Sequence, residues 1–189
     1  MVMPERVHSW TLAELHRLPD DGNRYELVRG ALFVTPPPSW EHECLASIIA
    51  ARLQPYVAKH GLGRIHFPRS VIRFGTTDEV EPDLMVRPVP ETPPERWEDA
   101  PLPILVVEIA SDATRRRDRG EKRRLYRDAS IPDYWIVDAE IRTIRLVRPG
   151  RDDADFTESL TWHPLGASEP FTLDVAGLFA EAAGARKPS

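Results

Sequence analysis

Two short apolar runs, Ile104–Val107 and Tyr134–Val137, each end in a carboxylate, Glu108 and Asp138. The first is dense in β-branched residues and flanked by prolines, which is how a strand buried on both faces reads. A charge at position 108 costs several kcal/mol of desolvation unless it is paired or holds a metal. Between the runs lie a polar turn, Ser111–Thr114, and a charged segment with helical character. Asp118, Lys122 and Tyr126 are spaced four apart, so they share a helix face. Pro132 disfavours helix at the residue before it and ends the segment near Ile131. The spacing therefore predicts strand, helix, strand, with one acid at the end of each strand.

The remaining chain is read around that unit. Ser9–Leu15 reads as a cap and a short helix with Leu12, Leu15 and Leu18 inward, and Arg24–Thr35 as a hairpin turning at Arg29–Gly30. Ser39 caps a long helix over Glu41–His60, with Leu45, Ile48, Ile49, Leu53, Tyr56 and Val57 on one face and Pro55 near its end. Arg64–Phe74 gives one or two strands, Thr76–Val80 a turn, and Glu81–Arg87 a strand with Asp83 at its mouth. Pro88–Pro103 is a proline-rich loop of a length that is often functional. Arg142–Arg148 is a strand, Arg151–Glu158 a polar turn, and Ser159–His163 a further strand. Phe171–Leu173 and Leu178–Phe179 close the fold as a strand and a short helix. With no repeat or linker, residues 1–189 read as a single α/β domain, with 184–189 as a frayed tail.

Composition excludes several classes. The formal net charge is −5, which argues against a generally basic coat for nucleic acid but not against a local basic groove. Cys44 is the single cysteine, so no internal disulfide forms and a reducing, cytoplasmic setting is expected. No apolar stretch is long enough for a membrane helix, and MVMPERVHSW has no signal-like core. The histidines, at 8, 16, 42, 60, 66 and 163, have no zinc spacing, and no Walker phosphate loop occurs. Trp135 and Trp162 read as core or edge aromatics. Lys59, Lys122 and Lys187 are the only lysines. Lys122 therefore stands out within the arginine-rich segment Arg115–Arg124, because an ammonium is compact and tunable where a guanidinium is not.

Asp83, Glu108 and Lys122 carry the candidate chemistry. Two carboxylates at one sheet edge make a hard oxygen site suited to Mg²⁺ or Mn²⁺. A lysine beside them can orient a water or steady developing phosphorane charge. Spacing alone leaves plainer roles open: a salt bridge from Glu108 to an arginine, a turn for Asp83, a solvated face for Lys122.

The stretch EPDLMV…LVVEIASDATRRRDRGEKRRLYRDASIPDYWIVD resembles the Uma2 family of the PD-(D/E)XK nuclease superfamily. The likeness extends to RYELVRGAL, to the histidine of EHECLASIIARL and to FTLDVAGLF, and so covers nearly the whole chain. It implies a restriction-endonuclease-like α/β core, a mixed β-sheet flanked by α-helices, with an extra N-terminal helix and β-hairpin. It implies a Mg²⁺- or Mn²⁺-dependent endonuclease acting on DNA, with homodimers common in the superfamily. Pro82 and Asp83 match the PD motif, and Glu108 the acid of its second half. The usual lysine position is Ala110, and Lys122 matches a lysine displaced to the following helix. Glu26 matches a family glutamate that supports the metal or its water, with an arginine pair across the hairpin as the other reading. His42 matches a family position, in packing or in the site. Tyr126 and Asp138 also match, with packing and an outer contact as their plainer roles. Arg115, Arg116, Arg117 and Arg119 are candidates for backbone phosphates, or a solvated cluster. The missing lysine at 110 keeps open a non-catalytic binding module on a nuclease scaffold, and RNA remains an alternative phosphodiester.

Overall fold

A computed structural model describes residues 9–111 and 114–184. The expected turn at Ser111–Thr114 and the expected tail at 184–189 therefore fall partly outside the described residues. The centre is a six-stranded mixed sheet in the order β10-β9-β8-β7-β6-β3. Its middle strands are β7 (Leu105–Ala110) and β8 (Asp133–Asp138), buried along their whole length. They pair in parallel, with Glu108 opposite Ile136 and Ala110 opposite Asp138. The other neighbours, β3 (Arg64–His66), β6 (Leu84–Arg87), β9 (Thr143–Val147) and β10 (Ala154–Phe156), join antiparallel. The parallel pair needs a crossover, supplied by α3 (Arg115–Arg117), a π-helical turn (Asp118–Lys122) and α4 (Arg123–Asp128).

Strand alternation divides the core in two. Leu105, Val107 and Ile109 face α2 (Trp40–Lys59), α5 (Val175–Ala182) and the ribbon of β11 (Ser159–Trp162) and β12 (Phe171–Asp174). Leu45, Ile49, Leu53 and Val57 of α2 pack there, and Trp135 meets Trp162 edge-on with centroids 6.0 Å apart. Val106, Glu108 and Ala110 face the other way. They look towards a four-stranded antiparallel sheet, β2-β1-β5-β4, and towards α4. That sheet contains β1 (Arg24–Val28), β2 (Ala31–Thr35), β4 (Ile72–Phe74) and β5 (Asp78–Val80). The catalytic candidates lie in this second layer.

The structure differs from the sequence expectation at several elements. Thr11, not Ser9, caps α1 (Leu12–Leu15), forming a capping box with Glu14; of the three leucines expected inward, only Leu15 is fully buried. The turn expected at Thr76–Val80 is confined to 75–77, and Asp78–Val80 is a strand. Acidic side chains misled there: Asp78 accepts from the Arg29 backbone N–H, and Glu79 is held by Arg73 at 2.6 Å. The turn expected at Arg151–Glu158 contains edge strand β10, where Asp155 accepts two 2.7 Å bonds from Arg145. Local polarity read as turn chemistry is cross-strand pairing.

Candidate active site

Glu26 of β1, Glu108 of β7 and Lys122 of the π-helical turn meet between the two sheets, and Asp83, just before β6, is tied to the Ile109 N–H beside them. Lys122 has no solvent exposure, Glu108 is 1% exposed and Asp83 2%. The Lys122 ammonium donates to Glu108 Oε1 at 2.7 Å and lies 2.7 Å from Glu26 Oε1. Tyr126 donates its hydroxyl to Glu108 Oε1 at 2.8 Å. The π-helical turn has a geometric use here. Side chains four apart overshoot by about 40° in an α-helix; a wider π turn removes that drift. Asp118, Lys122 and Tyr126 are consequently all buried on one side.

Asp83 stands just before β6 and is tied to three elements. Its Oδ1 accepts from Arg24 Nη1 at 2.7 Å, and its Oδ2 from the Ile109 backbone N–H at 2.7 Å. His42 Nε2, from the first turn of α2, lies 3.1 Å from Oδ2. Arg24 also donates to the Glu81 carbonyl at 3.0 Å. A cavity of about 670 Å³ opens onto this corner, lined by Arg24, His42, Asp83 and Ile109 and walled by Pro36–Pro38 and Phe67.

The four buried acids, with Asp118 the fourth, are not equivalent. Burial pushes Asp83 up, but the His42 hydrogen bond, Arg24 and the Ile109 N–H more than offset it, leaving Asp83 well below the usual carboxylate range. Burial of Glu26 is likewise outweighed by Lys122, Arg24 and Arg117, and its pKa is lowered. Glu108 is pushed up to about 7, by burial first and then by the charges of Asp83, Asp118 and Glu26, against the pull of Lys122. Asp118 is raised by burial. One ammonium thus touches two carboxylates at equal distance, but Arg117 lies 3.3 Å from Glu26 and Arg24 3.9 Å, which tips the balance towards ionised Glu26. Of the two acids that share Lys122, Glu108 is the one whose ionisation is disfavoured. His42 is raised, because its bond to Asp83 outweighs its own burial.

The other sequence candidates separate. Glu26 meets Lys122, and Arg117 of α3 rather than an arginine across the hairpin, with Arg117 Nη1 3.3 Å from Oε2. Asp138 does not reach the acids; it holds Arg115 at 2.9 Å and Arg119 at 3.0 Å. Arg117 is buried, bonded to Thr35 and stacked over Phe33. Of the four arginines proposed for phosphate contact, only Arg116 is exposed. Sequence reasoning missed Arg24 and undervalued Asp118. Both left a signal: Arg24 is two residues from Glu26 on one strand, hence on one face, and Asp118 shares the helical spacing of Lys122.

The donor set is hard oxygen, matching Mg²⁺ or Mn²⁺. Among the described residues no three His, Cys, Asp or Glu side chains converge as a ready-made ligand set. Mg²⁺ is commonly held by one or two carboxylates, with waters and substrate phosphate completing the shell. Two carboxylates and a backbone carbonyl match that donor chemistry, but both Asp83 oxygens are already engaged, Oδ1 by Arg24 and Oδ2 by the Ile109 N–H and His42, so an ion would have to displace protein partners there.

Comparison with known proteins bears on the fold and the family. A solved structure from Anabaena variabilis, described as a putative nuclease belonging to DUF820, superposes with a TM-score of 0.76 at 22% identity, covering 92% of this chain and 99% of that one. At that identity it speaks for the fold, a restriction-endonuclease-like mixed sheet with flanking helices. No curated protein matches the chain significantly. The sequence model of the Uma2 family, described as "Putative restriction endonuclease", matches residues 12–176. The chain belongs to the Uma2 family.

Proposed function

We propose that this protein is a divalent-metal-dependent nuclease that hydrolyses phosphodiester bonds of nucleic acid, DNA above all. The observation that carries the reading is the fully buried Lys122 ammonium, 2.7 Å from both Glu108 and Glu26, one strand away from a carboxylate open to a cavity. Asp83, Glu108 and the Ile109 carbonyl would hold Mg²⁺ or Mn²⁺. The ion, when bound, supplies Lewis acidity and a more acidic water. Lys122 orients the attacking water and offsets charge that develops on the phosphorus oxygens. Glu26 holds Lys122 in place and keeps its ammonium between the acids. Tyr126 fixes the Glu108 rotamer through its 2.8 Å bond. A lysine delivered from a helix thereby takes the part that Ala110 cannot.

The test is cleavage by pure protein in Mg²⁺ or Mn²⁺, with duplex, single-stranded and RNA oligonucleotides. Asp83→Ala and Glu108→Ala are each expected to lower the rate at least 100-fold, and persistence of parental rates in both variants refutes the site. A non-catalytic binding module is the second reading, favoured by the Arg24–Asp83 pair, which already satisfies one metal-facing oxygen. Binding without any cleavage in the parent would establish it. Cutting both strands of a duplex at one place calls for two copies about a two-fold axis; sedimentation with and without DNA reads that.

A further inference from the structure

The acids proposed to act on a phosphodiester lie inside the molecule. Asp83 is 2% exposed and Glu108 1%, and Asp83 is approached through a cavity of about 670 Å³. A duplex carries its phosphates on the outside of a stiff stacked cylinder. A cavity of that size admits a flexible unpaired strand more readily than it admits such a cylinder.

The cavity walls have the wrong chemistry for a duplex and the right chemistry for bases. Pro36, Pro37, Pro38, Ala46, Phe67 and Pro68 line it. Of the arginines lining it, Arg24 is bound to Asp83, and Arg69 donates to Asp20 at 3.0 Å. Glu43 and Glu81 stand on the same wall. Cations that replace counterions along the phosphates contribute more to duplex than to single-strand affinity, and Arg24 and Arg69 are the only arginines or lysines among the described residues that line the cavity. Two large aromatics are instead left in water, Phe67 on the cavity wall at 51% exposure and Trp40, next in sequence to the cavity-lining Ser39, at 85%. Base stacking on such rings tolerates any sequence and contributes strongly per base.

We infer that the cleft accepts an unpaired segment of nucleic acid, stacking its bases on Phe67 and Trp40 while the backbone passes Asp83. The preferred substrate class is single-stranded or locally unpaired nucleic acid, not continuous duplex. One strand enters one site, so a single copy of the chain suffices. The inference takes its chemistry from the nuclease reading, but its contacts are binding contacts and are tested as such.

The experiment is equilibrium binding in Ca²⁺ of an eight-nucleotide oligothymidylate, an eight-nucleotide oligouridylate and a blunt duplex of matched length, read by fluorescence anisotropy and by tryptophan quenching. The single strands are expected to bind at least tenfold tighter than the duplex. Phe67→Ala and Trp40→Ala should each weaken them roughly tenfold, with Phe67→Tyr retaining affinity. Trp40→Phe should keep the anisotropy signal and remove most of the quenching. Preference for one oligomer identifies DNA or RNA as the source, and equal binding shows that the stacked base is what is read. Duplex bound as tightly as single strand, or indifference to both alanine variants, overturns the inference. A parallel Mg²⁺ cleavage assay separates the two claims. Duplex cutting that ignores Phe67 and Trp40 leaves the nuclease reading standing and sinks this one. Aromatic-dependent single-strand binding with no cutting does the reverse.

Discussion

Lys122 is the residue on which the site turns, and its removal has two separable effects. Replacing it by methionine leaves Glu26 and Glu108 buried without their shared cation, a loss of about 3–5 kcal/mol by analogy with broken buried pairs. The double variant Lys122→Met/Glu26→Gln removes one orphaned charge and should recover part of that stability while cleavage stays absent, measured by urea unfolding beside an activity assay. Glu108 sets a pH dependence. Its folded pKa of about 7 lies above the ordinary 4.5, so between those values the folded state holds the extra proton. Stability in the absence of metal therefore falls as pH rises from about 4.5 to 7, by on the order of 3 kcal/mol. Asp83 and Glu26 have the opposite sign: their contribution is present above pH 4 and is lost as acid protonates them. Unfolding midpoints in chelator across pH 5–8 should decline for the parent and decline much less for Glu108→Gln. An equal slope in both would show that the proton is held elsewhere.

At the scale of elements, the crossover between β7 and β8 decides the site. Its π-helical turn contains Gly120, whose backbone lies outside the left-handed region and where an added Cβ meets nothing within 4 Å. Gly120→Ala should therefore stabilise by about 0.5–1 kcal/mol through the unfolded chain and helix propensity. Gly63 is the contrasting case. It has φ +134°, and a Cβ there would run into the Arg87 carbonyl, so Gly63→Ala should cost more than about 2 kcal/mol. Thermal unfolding of the two variants side by side checks the signs. The proline-rich loop 88–103 also has a structural anchor that its sequence hides. Trp97 of its single 3-10 turn meets His66 edge-on at 5.6 Å, and the buried Arg87 guanidinium lies 5.6 Å from the same ring.

For the whole molecule, charge is mostly spent internally. Arg115, Arg117, Arg119, Arg123 and Arg145 all pair with carboxylates of the protein, which fits a net charge of −5 better than a basic groove does. No helix among the described residues is long and apolar enough to cross a membrane. Metal should act on the entire fold, because a ligand that binds only the native state raises its stability by mass action. Millimolar Mn²⁺ is expected to raise the unfolding temperature by several degrees, more at pH 8 than at pH 6 because Glu108 must give up its proton. Asp83→Asn should abolish the rise; an undiminished rise in that variant would place the ion elsewhere.

The sequence alone determined the central unit. Apolar runs at 104–107 and 134–137, with a charged helical spacing between them, admit little besides a buried strand, a crossover and a second buried strand. The chain also showed Asp83, Glu108 and Glu26 as candidates, since each stands where an acid is costly or where the Uma2 resemblance puts one. It did not determine which arginines were free. Asp138, Arg115 and Arg119 read as site or phosphate groups because a sequence carries no record of pairing partners across a fold. Only the tertiary structure decided that Arg24 and His42 grip Asp83, that Glu26 rather than solvent faces Lys122, and that the acids sit behind a proline-walled cavity. Those are facts of distance between residues dozens of positions apart, and electrostatic energy depends on that distance, not on order along the chain.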